Sequence, residues 1–134
     1  HEYMEGIRKG EVIGVFVLVD GVLAHWAFIL RSSRTSCLLG VGRGEALLGN
    51  AYTNPQFRGR GLQTTSLRQR LQECRRLGIT HVYTETVPDN WPSRRAMERV
   101  GMVFLRDVTL LVVVTRIVVR ITNTGRKARL FGLC

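Results

Sequence analysis

The sequence predicts an α/β fold of the α+β kind, a sheet with helices packed on it. Three observations predict it. Two β-rich runs, Glu11 to Val19 and Val22 to Leu30, flank Asp20-Gly21, and that dipeptide is the strongest short hairpin signal. An apolar run from Ala46 to Thr53 passes through Asn54-Pro55-Gln56-Phe57-Arg58-Gly59-Arg60-Gly61 into a helix-like run, Leu62 to Leu77. A further β-rich run, Ile79 to Val87, follows that helix. A chain of 134 residues is one domain, 1–134, with one sizeable core.

Along the chain, His1 to Gly10 carries Tyr3, Met4 and Ile7 at spacings of three and four, a short helical pattern. The two hairpin strands are nearly all apolar, as suits strands buried on both faces or at an interface. His25 in the second reads first as a structural histidine. Arg31 to Ser36 is a polar loop, and Cys37 to Leu39 a short strand or a continuation. Glu45 to Thr53 is a strand with Gly49 inside it, the mark of a bulge or a close approach. With no bulge, Glu45, Leu47, Ala51 and Thr53 share one face.

The helix from Leu62 places Leu67, Leu71 and Cys74 on one face, with Arg68, Arg75 and Arg76 off it. Gly78 terminates it. Pro92 suits the first turn of a short helix, Pro92 to Val100, which Gly101 ends. From Met102 the chain is β-rich, and Asn123-Thr124-Gly125 marks a turn between Ile117–Ile121 and Leu130-Phe131.

The turn from Arg58 to Gln63 carries the chemistry. Glycines let the backbone bend and approach a ligand. The first turn of a helix leaves amide N–H groups without partners, and its dipole favours an anion. Arg58 and Arg60 add positive charge there, and guanidinium suits phosphate oxygens. The bland alternative is a strand-to-helix turn with solvated arginines.

The turn resembles the acyl-coenzyme A motif of the GNAT N-acetyltransferase superfamily: Arg or Gln, two residues, Gly, one residue, then Gly or Ala. Arg58 and Gly61 match, and Gln63 stands where a small residue is expected. Downstream, Asp89-Asn90-Trp91-Pro92-Ser93, a helix, and Gly101-Met102 resemble the family's second landmark. The resemblance spans roughly Glu11 to Val114. It implies a mostly antiparallel twisted sheet with a central parallel pair, Glu45–Thr53 and Ile79–Val87, splayed to form a cofactor slot.

The same resemblance implies acetyl-coenzyme A as cofactor, held by Ala51, Tyr52, Thr53, Arg58, Gly59, Arg60, Gly61, Leu62, Gln63, Asn90 and Ser93. It implies transfer of acetyl to a primary amine of a small molecule by direct attack in a ternary complex. The usual tyrosine, seven residues after the Asn, is Met97, and the glutamate position eleven before the motif is Leu47. Glu45, two residues away, and Glu85, on the neighbouring strand, become the candidate bases beside Asn90. No metal site is implied. The family begins with a strand and two helices, so this chain is expected to start within the second helix. A missing segment, or a second copy in a homodimer, would supply the edge.

Composition sorts the rivals. At 45% apolar and 22% charged, the chain is globular rather than disordered. No apolar run reaches transmembrane length. Cys37, Cys74 and Cys134 fit neither a disulfide framework nor a zinc set, and a cytoplasmic setting is the default. The net charge of +10 is almost all arginine, since Lys9 and Lys127 are the lysines. Such a surface attracts polyanions, but charge alone gives only sequence-independent attraction. The readings therefore rank as acetyltransferase, coenzyme A-binding sensor without turnover, then basic nucleic-acid-binding domain.

Overall fold

A computed structural model of the chain describes residues 2–113, 117–122 and 129–132. The hairpin forms where expected. Asp20 and Gly21 take φ of +50° and +77°, the two left-handed residues that a two-residue turn needs to match strand twist. They join β1 (Val12–Val19) to β2 (Val22–Leu30) in antiparallel register, with Val19 opposite Val22 and Phe16 opposite Trp26.

β2 pairs antiparallel with β3 (Glu45–Thr53), and β3 pairs parallel with β4 (His81–Thr84). The sheet order is β1-β2-β3-β4. A parallel pair needs a crossover, and α3 (Leu62–Arg76) supplies it. α1 (Glu2–Arg8) precedes β1, α2 (Arg34–Leu39) lies between β2 and β3, and α4 (Trp91–Arg99) follows β4. The mixed sheet with helices packed on it agrees with the expected class, but the parallel pair, expected at the centre, stands at the β4 edge of the four strands.

Strand alternation divides the core into two layers. On one face Ile29, Ala46 and Leu48 pack with Leu67 and Cys74 of α3 and Ala96 of α4. On the other, Val12, Leu30 and Leu47 pack with Tyr3, Leu39 and Val41. Each fully buried Leu or Ile contributes roughly 1.5–3 kcal/mol, so these layers fix the sheet between its helices.

Several expectations are corrected. The Arg31–Leu39 stretch, read as a polar loop and then a short strand or a continuation, contains α2. The Ser33 side chain accepts from the Ser36 amide at 3.0 Å, and Gly40 closes the helix at φ +76°. Two short-range caps outweigh the β-like look of Cys37–Leu39. β4 stops at Thr84 rather than Val87. β5 (Val108–Val113), β6 (Ile117–Thr122) and β7 (Arg129–Gly132) form a separate antiparallel sheet. The turn expected at Asn123-Thr124-Gly125 lies outside the described residues. Cys74 is free and buried. Among the described residues no helix is long and apolar enough to cross a membrane.

Candidate functional site

β3 and β4 pair only from Glu45↔His81 to Leu48↔Thr84. The Thr84 hydroxyl donates to the Leu48 carbonyl at 2.9 Å and marks the end of contact. Beyond it β3 runs on to Thr53 while β4 has ended. The separation opens a cleft of about 700 Å³. Its walls are residues 48–53 of β3, the turn from Phe57 into the first turn of α3, residues 84–87, and Pro92, Ser93, Ala96 and Met97 of α4.

A bulge shapes the β3 wall. Phe28 pairs with Gly49 and Trp26 with Tyr52, so Asn50 and Ala51 both stand opposite Ala27. Asn50 absorbs the extra residue at φ +49°. Gly49 eases the packing beside it, because a Cβ there would sit 3.3 Å from Leu30 Cδ1. The bulge also changes parity. Leu47 packs away from α3, yet the Thr53 hydroxyl meets His25 Nδ1 at 2.8 Å on the face that carries Ile29. Glu45 and Leu47 therefore do not share a face with Ala51 and Thr53.

The turn into α3 leaves donors open. Gly59 and Gly61 take φ of +78° and +75°, angles that disfavour a side chain. No side chain caps α3, and the first amide bonded into the helix is Thr65, to Gly61 O at 3.0 Å. The amides of Gly59 to Thr64 therefore have no acceptor among the described residues. Arg58 differs: its amide donates to Pro55 O at 3.2 Å, and its Nε to Thr53 O at 3.2 Å. Arg58 thus braces the end of β3 and lines the cleft.

Most sequence-predicted site residues meet in this one cleft. Ala51, Tyr52, Thr53, Arg58, Gly59, Gly61, Leu62, Gln63, Glu85, Asn90 and Ser93 all line it. Arg60 does not; its guanidinium sits 5.2 Å over the Phe57 ring. Asn90 Oδ1 accepts from the Ser93 amide at 3.3 Å and caps α4. Met97 lines the wall where the resemblance expects a tyrosine.

Glu45 is a correction. It lies at the opposite end of β3, on the other face of the sheet. Its carboxylate accepts from Gly42 N at 2.7 Å and from the Tyr83 hydroxyl at 3.2 Å. Burial, and then this carboxylate, push the Tyr83 hydroxyl pKa up. Two residues of offset look small in sequence, but each strand residue advances about 3.3 Å and the bulge reverses the face.

Sequence reasoning missed a buried polar cluster under the cleft. Arg70, a residue of the cleft lining, is 1% exposed. Its Nε donates to Ser66 O at 3.4 Å and its Nη1 to Phe28 O at 3.3 Å. Among the described residues, Nη2, His25 Nε2 and Ser66 Oγ are buried without a partner. Burial, and then the Arg70 charge, lower the His25 pKa to about 4. Burial lowers Arg70 to about 10, so it remains a cation at neutral pH. The signal was available: position 70 lies three after Leu67 and four before Cys74, inside the core stripe.

The sequence matches the family model described as "Acetyltransferase (GNAT) domain" over residues 11–103. No curated protein sequence matches it. Among solved structures, it is 17% identical to the aminoglycoside N-acetyltransferase AAC(6')-Iy in complex with CoA, with a TM-score of 0.63, over 84% of this chain and 91% of that one. RimJ of Mycobacterium smegmatis, in complex with CoA-disulfide, is 22% identical with a TM-score of 0.63, over 82% of this chain and 48% of that one. The ribosomal-protein-S18-alanine N-acetyltransferase of Escherichia coli is 18% identical with a TM-score of 0.56, over 74% and 55%. The structural likenesses speak to the fold.

Proposed function

Because the chain belongs to the GNAT acetyltransferase family, we propose that its cleft binds acetyl-coenzyme A and passes the acetyl group to a primary amine of a small molecule by direct attack in a ternary complex. The observation that carries this is the run of unpartnered amides from Gly59 to Thr64 at an uncapped helix start. Such donors fit a diphosphate. Gly59 and Gly61 suit the fit further, because no protein atom lies within 4 Å of where their Cβ would be. Arg58 supplies a cation on the same wall. Leu62 and Gln63 contribute first-turn amides, and Ala51, Tyr52 and Thr53 offer the β3 edge to the cofactor's arm.

Bound acetyl-coenzyme A would supply an acyl group activated as a thioester. The protein's part is to hold two reactants together, which supplies much of the rate. The Glu85 carboxylate, at the cleft wall across from β3, takes the proton that the acceptor ammonium must release, directly or through water. The main chain near Ala51 offers a donor to the carbonyl oxygen as it gains charge. Asn90 holds the start of α4, and so the Ser93 wall, in place. With a net charge of +10, the preferred acceptor carries negative charge besides its amine.

Met97 favours a second reading, in which coenzyme A binds without turnover, because a thioether gives no proton to a leaving thiolate. Thermal shift tests the binding. Acetyl-coenzyme A at about a hundredfold excess over Kd is expected to raise the midpoint by roughly 10 °C. A desulfo analogue should do the same, and a dephospho analogue less. No shift with any of them would overturn the cofactor assignment. Steady thiol release across an amine panel then separates transfer from mere binding.

A further inference from the structure

We infer that Arg70 is a positioning residue: it braces α3 against the β2–β3 bulge and so sets the distance between the two walls of the cleft. The inference rests on the cleft being the coenzyme A site. The α3 wall carries the free amides of the first turn, and the β3 wall carries Ala51 to Thr53 beyond the bulge. Arg70 reaches from the third turn of α3 to the carbonyl of Phe28, the residue paired with Gly49 at the foot of the bulge. Its Nε holds to Ser66 O of its own helix, so the side chain is anchored at both ends.

Stability gives no reason for an arginine here. The position is 1% exposed and lies within the apolar stripe of α3. No carboxylate among the described residues pairs with it. A buried guanidinium without a counter-charge is destabilising relative to an apolar side chain of similar volume. What it adds is direction. Apolar contact is non-directional and lets a helix slide, whereas a charged donor on a main-chain carbonyl fixes spacing. His25 works beside it. Its ring holds Thr53 at 2.8 Å just past the bulge, so both ends of the irregular stretch are tied to buried polar side chains.

The test compares Arg70→Met, which keeps length and packing, with Arg70→Lys, which keeps a cationic donor of similar reach. Arg70→Met is expected to fold with an unchanged or higher melting temperature, yet to bind desulfo-coenzyme A about tenfold more weakly. Arg70→Lys should stay within about threefold of the parent. Amide hydrogen exchange at residues 51–53, measured without ligand, should speed up in Arg70→Met and not in Arg70→Lys. Parent-like affinity and exchange in Arg70→Met would overturn the inference. So would affinity lost by both variants in step with melting temperature, which is core damage. If Arg70→Met does not fold, faster exchange at 51–53 in Arg70→Lys with unaltered binding overturns it. If the parent itself binds no coenzyme A, the site assignment fails, while the exchange comparison still tests the brace.

Discussion

Replacing Gln63 by proline isolates the proposed anion site from the fold. Gln63 is the second residue of α3. Its amide makes no hydrogen bond among the described residues, so proline removes a donor that the fold does not use. The chain tolerates proline at the matching place, because Pro92 is the second residue of α4. The folded state should therefore lose little, about 0.5 kcal/mol or less. The bound state should lose one amide bond to a charged acceptor, about 1.5–3 kcal/mol. That is roughly a 10- to 150-fold rise in Kd for coenzyme A. Gln63→Ala is the control: it shortens the side chain to the small residue of the family pattern and keeps the N–H, so affinity should hold or improve. Calorimetric titration of parent, alanine and proline variants reads the difference, with melting temperatures taken alongside. A proline variant that binds like the alanine variant would show that the free amides at this helix start do not hold the ligand.

Three further outcomes follow from the same geometry. Glu85→Gln should lower kcat by about a hundredfold with coenzyme A affinity unchanged, whereas Glu45→Gln should leave kcat within about twofold; equal losses in steady-state assays would contradict the assignment of the base. His25 sets a pH dependence. Its pKa is lowered from 6.5 to about 4, so the unfolded chain takes up a proton in that window before the folded one does. The associated stability is full above pH 6.5 and is lost as the pH falls towards 4, by on the order of 3 kcal/mol. Urea midpoints from pH 7 to 4.5 should fall in the parent and much less in His25→Asn; parallel slopes would refute the attribution. Met97→Tyr returns a hydroxyl to the cleft wall and should raise kcat roughly tenfold or more if thiolate departure limits turnover, measured by thiol release; an unchanged kcat excludes that step as limiting.

How far the sequence could be read depended on how far apart the deciding residues lie. The hairpin was legible because Asp20-Gly21 settles it alone. The cleft wall from Arg58 to Gln63 was legible as a strand-to-helix turn because it is one continuous stretch. α2 was misread although its caps are local, because Ser33 and Gly40 were passed over for the apolar run between them. Glu45 was misplaced for a different reason. Its face depends on a bulge at Asn50, and that bulge depends on how β2 pairs with β3. Pairing is a property of two strands, so no count along one strand could give it.

Arg70 was missed by the same kind of oversight in reverse. The stripe Leu67, Leu71, Cys74 was read as apolar and the arginines of α3 as solvated, although position 70 falls between them on the buried side. A charged residue on a core stripe contradicts the pattern around it. Natural sequences keep such a conflict where function needs it, since selection for stability alone would remove it. Here the conflict sits beneath the cleft, beside the bulge that re-aims β3, and next to a histidine kept neutral by burial and, second, by the same charge. The departures from simple periodicity, Gly49, Asn50, His25 and Arg70, thus fall within one region of the molecule. Their clustering at the point where the parallel strands separate argues that the fold is strained and charged there to hold the cleft open rather than to hold the chain together.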